Sequence, residues 1–175
     1  MPKNIQENEI LEYLNASTTV RGFFISTVDI FDRVVQVLIE RVFLKNDFAV
    51  QSVVGPLLQD TGPLGELSVR IKLLFGLGVI PLDTYQDIDG MIKLKKMLNN
   101  DSDEHFFTDF TIVNEIESFN FSKKLNMEVF RQITVDDLDP VLSKMQLDRQ
   151  QQVIKSSLAL EIISLCEVLN KESPF

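Results

Sequence analysis

The chain is short of the residues from which most enzyme centres and metal sites are built. Its 175 residues include one cysteine, Cys166, one histidine, His105, and no tryptophan. A single thiol makes no internal disulfide, and one Cys with one His makes no transition-metal cluster, so neither a disulfide framework nor a metal site is expected. Basic residues are also scarce: 17 Lys and Arg stand against 26 Asp and Glu, a net charge of −9. Nucleic-acid binders use Lys and Arg to displace counterions from phosphates, so direct DNA binding is disfavoured. The deficit is even, with 7 basic and 11 acidic residues over 1–87 and 10 and 15 over 88–175, so neither half hides a basic module. Long apolar runs are missing too. The stretch Leu73–Leu82 is ten residues long and broken by Gly76, Gly78 and Pro81; a spanning helix needs roughly 20. No membrane span is expected.

What remains is an ordinary globular composition, 45% hydrophobic and 25% charged, in a length that suits a single domain over residues 1–175. Met1-Pro2-Lys3-Asn4 leads into an acidic amphipathic stretch rather than a secretory signal, so a cytoplasmic location is expected.

Apolar spacing predicts an all-α helical bundle with a long central helix. A short helix is expected over Glu9–Leu14, closed by Asn15-Ala16-Ser17-Thr18. From Thr18 to Asn46, Phe24, Val28, Phe31, Val35, Leu38 and Val42 recur at alternating spacings of four and three, one face of a helix, and Ile30, Val34, Val37, Ile39 and Phe43 widen that face. Gly55-Pro56-Leu57 and Gly62-Pro63-Leu64 each read as a helix start, because proline suits a first turn. The second helix should run from Leu64 to a stop at Gly76 or Gly78. Another is expected over Asp83–Asn99, capped by Asp83 with Gln86. Phe106, Phe107, Phe110, Val113, Ile116 and Phe119 suggest one more, with Thr111-Ile112-Val113 left open as a short strand. Residues 120–135 give no clear pattern. Asp139-Pro140 opens a short helix over Val141–Leu147, and a last helix follows Asp148.

Few residues offer chemistry. His105 lies in an acidic loop beside Asp103 and Glu104, as a solvated side chain would. Cys166 falls among Ile162, Leu165 and Leu169, where a buried structural thiol is expected. The loop Asp101-Ser102-Asp103-Glu104 lacks the glycine and distant glutamate of a calcium site. The glycines of the GPLGEL stretch lack the Gly-Lys-Ser/Thr of a phosphate loop. A helix-turn-helix over Leu64–Asn99 would point Asp83, Asp87 and Asp89 at phosphates. No catalytic residue, cofactor or metal is therefore assigned. The distinctive feature is 13 phenylalanines, with Phe106, Phe107 and Phe110 spread over an arc wider than one helix face. They are either core or a partner or dimer surface.

The segment Gly55-Pro56-Leu57 through Thr61-Gly62-Pro63-Leu64, followed by Ser68-Val69-Arg70-Ile71-Lys72-Leu73-Leu74-Phe75-Gly76-Leu77-Gly78-Val79-Ile80, resembles the bacterial mannitol operon repressor family. Tyr85-Gln86-Asp87-Ile88 and Phe107-Thr108-Asp109-Phe110 are similar to it as well. The resemblance implies an all-helical transcriptional regulator that represses the mannitol utilisation operon indirectly, through protein partners and without a DNA-binding module. It also implies a homodimer and contact with the phosphocarrier protein of the sugar phosphotransferase system. It brings no catalytic residues. A second, fainter likeness, over Leu73–Asn100, is to helical RNA-cleaving and nucleotide-binding toxins. It implies the alternative, an RNA- or nucleotide-processing enzyme with a degenerate active site, since Lys95-Lys96-Met97-Leu98-Asn99-Asn100 lacks the arginine and histidine of that signature.

Overall fold

The computed structural model describes residues 4–43, 48–131 and 139–171. Among them are eight α-helices and one 3-10 helix, and no strand, so Thr111-Ile112-Val113 is helical. No described helix is long and apolar enough to cross a membrane.

Helix α1 (Glu7–Asn15) starts earlier than the apolar spacing suggested, because Gln6 and Glu9 form a reciprocal capping box. Helix α2 (Val20–Phe43) is the centre of the fold: 13 of its 24 residues are buried. Phe23, Phe24, Ile30, Phe31, Val35 and Leu38 are fully excluded from solvent, and each such side chain contributes about 1.5–3 kcal/mol on burial. Its start is set by Thr19, whose Oγ1 accepts the Gly22 N–H at 3.0 Å. Helices α1, α4, α5 and α8 pack around it.

The two Gly-Pro-Leu units do not both begin helices. Pro56 lies inside α3 (Phe48–Leu58), in its last turn, where a missing N–H costs only one bond near a fraying end. Gly62-Pro63-Leu64 belongs to a tight turn, and α4 (Leu67–Gly76) begins three residues beyond Leu64, after Glu66. The delay follows from where the backbone groups go. Leu64 N–H donates to the Leu57 carbonyl at 2.9 Å and Gly65 N–H to Gly62 at 3.0 Å. A Cβ on Gly62 would lie 2.4 Å from the Pro56 carbonyl oxygen, and one on Gly65 equally close to that of Asp60. Only glycine permits the fold-back.

Arg70 holds this turn from below. It is 4% exposed, donating Nε to the Leu64 carbonyl at 2.6 Å and Nη2 to that of Leu58 at 2.7 Å, with Nη1 3.8 Å from Asp32. Burial pushes the Asp32 carboxyl up, against the pull of Arg70. Helix α4 ends as anticipated: Gly78 sits at φ 72°, its N–H donates to Phe75 and that of Val79 to Leu74, a Schellman closure.

Helix α5 (Leu82–Asn100) is capped by Pro81 rather than Asp83. Asp87, 3% exposed, points the other way: its carboxylate accepts Asn120 N–H at 2.6 Å and Phe121 N–H at 3.2 Å. It caps the 3-10 helix (Asn120–Lys124) that follows α6 (Phe110–Ser118). Burial raises the Asp87 carboxyl while those N–H groups lower it. Residues 120–131, which showed no pattern in sequence, thus contain the 3-10 helix and α7 (Met127–Arg131); 132–135 lie outside the described residues.

The expected break at Asp148 is absent. Helix α8 runs unbroken over Pro140–Lys171, because a cap residue only starts a helix where the preceding backbone has left it. Asp139 does take that part, its Oδ1 accepting the Val141 N–H at 3.2 Å.

Two substitutions probe these supports. Arg70→Ala orphans two carbonyls beneath the glycine turn and is expected to cost about 3 kcal/mol in urea unfolding. Asp87→Ala strands two backbone donors between α5 and the 3-10 helix; about 2–3 kcal/mol is expected from the same measurement.

Candidate functional site

The loop joining α5 to α6 collects most of the chemistry flagged in sequence, and Arg21 fixes its shape. From the first turn of α2, Arg21 donates Nε to the Leu98 carbonyl at 2.9 Å and Nη2 to Asp101 at 2.6 Å and Asp103 at 3.3 Å. These are the carbonyls left over where α5 ends. Asp101 then braces the loop with its own side chain. Its Oδ1 accepts the Asp103 N–H at 3.0 Å, and its Oδ2 lies 2.7 Å from His105 Nε2. Those two contacts, the backbone one first, hold its carboxyl below the usual range. The other ring nitrogen of His105 is 3.6 Å from Asp109, and Asp109 Oδ2 accepts the Phe106 N–H at 2.9 Å. The only histidine is therefore clasped between two carboxylates.

This bracing decides where the three phenylalanines point. Phe107 turns in, 5% exposed and edge-on to Phe23 at 5.3 Å, so it belongs to the core. Phe106 and Phe110 stay outside, 51% and 73% exposed. Arg131 of α7 lies over the Phe110 ring at 5.9 Å and is itself held by Asn114 and Glu117. Nearby, Gln150 of α8 bonds the Val129 carbonyl of α7. The N-terminal part of α8 continues beyond that contact with Val141, Leu142 and Met145 exposed by half or more. The periodicity of residues 106–119 hid this division, because only 110 onward is helical and the preceding four residues follow a turn.

No activated nucleophile emerges among the described residues. Cys166 is buried, and desolvation, then Glu167, pushes its thiol up to about 12. It lies three helical turns along α8 from Lys155, the nearest to it of the four residues of that helix, Asp148, Gln151, Gln152 and Lys155, that line a cavity with His105. Among the described residues no group of three or more His, Cys, Asp or Glu side chains is placed to hold a metal ion. Of the lysines of α5, Lys93 and Lys96 face solvent and Lys95 is half-buried; Lys93 is paired to Asp89 at 2.7 Å. The residues that organise the site, Arg21 and Asp109, carry no assigned role in the sequence reading, where Asp109 figures only within Phe107-Thr108-Asp109-Phe110. Their one signal was an arginine in an otherwise apolar first turn and an aspartate opening an apolar helix.

Comparison with known proteins agrees with this architecture. A family model described as mannitol repressor matches residues 6–170. The mannitol operon repressor of Escherichia coli K12 is 39% identical over 167 residues, 95% of this chain and 82% of that protein. Fumarase E of the same organism is 27% identical over 106 residues, 60% of this chain and 63% of that protein. Among solved structures, a chain of the MtlR-HPr complex from Escherichia coli matches with TM-score 0.77 and 37% identity, covering 95% of this chain and 98% of that one. With a family match running nearly end to end over the same helical fold, this chain belongs to the mannitol repressor family.

Proposed function

We propose that this chain lowers expression of a mannitol utilisation operon from the cytoplasm by engaging a protein partner, without gripping DNA itself. The observation that carries this reading is the likeness to a repressor whose structure was solved as a complex with HPr. Charge supports the indirect route: at −9, spread evenly, the chain repels a phosphate backbone before any contact forms. The partner is HPr, the phosphocarrier of the sugar phosphotransferase system. The docking face comprises Phe106 and Phe110, because two large rings left outside a well-filled core form the apolar centre of an interface. A dimer of this chain would use an apolar face of the same kind. The chain works by binding; the relative named fumarase E makes fumarate hydration the enzymatic activity to assay, and no turnover is expected.

Titration calorimetry of the purified chain with HPr should give saturable binding. Phe110→Ala should weaken it about tenfold, the loss of roughly 1.4 kcal/mol at one interface anchor, with an unchanged thermal midpoint. Mannitol promoter DNA should not be retained by the chain alone at physiological salt; retention with a steep salt dependence would overturn the indirect mechanism.

A further inference from the structure

We propose that the cleft between the start of α2, the α5–α6 loop and the middle of α8 binds a small, neutral, polyhydroxylated molecule. The cleft has a volume of about 330 Å³, at the small end of the range for small-molecule sites. Phe106 and its half-exposed ring form one wall. Around it stand Thr18, Glu104, Asp148 and Gln151, none of whose side chains has a hydrogen-bond or ion-pair partner among the described residues. Lys155 completes the lining. One of its protons is given to the Ser17 carbonyl at 2.6 Å, which leaves two for other acceptors.

These groups select the class of ligand by exclusion. An anion would meet the carboxylates of Glu104 and Asp148 in the lining, and a cation would meet the ammonium of Lys155. A polyol avoids both conflicts, since every hydroxyl donates and accepts. Carboxylates take its protons, the Gln151 amide and Lys155 supply theirs, and its C–H groups lie on the phenyl face. The wall that carries Phe106 and Glu104 is the loop tied down by Arg21 and by the Asp101–His105 contact, so little ordering remains to be done on binding.

The inference rests on the repressor reading only for the choice of probes. Calorimetry of the full chain with mannitol, sorbitol and mannitol phosphate tests it. Saturable one-to-one binding of a hexitol is expected, with the phosphate ester at least about tenfold weaker and with Gln151→Ala and Asp148→Ala each weakening the hexitol about tenfold. Both positions are on the surface of α8, so circular dichroism and the ligand-free thermal midpoint should be unchanged. No saturable heat with either hexitol, a phosphate ester that binds as tightly or more so, or hexitol binding indifferent to both substitutions would each overturn the proposal. A chain that binds HPr but no hexitol loses this inference alone; one that binds hexitol but not HPr loses the partner reading alone.

Discussion

A helix as apolar as α2 has to be covered over most of its circumference, and that requirement organises the molecule. Its buried residues do not form a stripe. Phe23 and Phe24 are adjacent in sequence and both fully buried, as are Ile30 and Phe31, so neighbours are needed on several sides at once. Helices α1, α4, α5 and α8 supply them. Each then carries its own charged residues on the outer surface, which is how a chain of net −9 distributes repulsion away from its centre.

Two arginines, Arg21 and Arg70, solve the same problem at two separate places in this arrangement. Wherever a helix stops, carbonyls are left without partners, and a loop that stays close to the core cannot rely on water for all of them. The guanidinium fork offers five donors in a fixed plane and reaches two or three such carbonyls at once. Arg70 does so beneath the Gly62-Pro63-Leu64 turn and Arg21 beneath the loop that carries His105. The site thus owes its shape to the same device that closes the fold elsewhere.

Much of the fold was legible because apolar spacing survives tertiary packing. The central helix, the Gly78 stop and the Asp139-Pro140 start all follow from local chemistry. The misreadings share a cause: a cap residue or a proline indicates where a helix is allowed to begin, and only the wider fold decides whether it does. Pro56 sits within a last turn, and Asp148 within an unbroken helix. The site was legible in part. Charge evenness argued against DNA, and the Phe106–Phe110 cluster stood out, but the inward turn of Phe107 depends on Phe23, far away in sequence. Nor could spacing reveal that His105 would share a cleft with the middle of α8.

Helix α8 carries a consequence of its own. At 1.5 Å per residue its 32 residues span about 48 Å, yet no side chain before Ile154 is buried. Amide hydrogens ahead of Asp148 are protected by little beyond the local winding of the helix, so they are expected to exchange through fraying. Those around Ile162 wait for the core to open. A single continuous helix therefore spans two regimes of hydrogen exchange, and the turns ahead of Asp148 can lose their winding without disturbing the packing around α2.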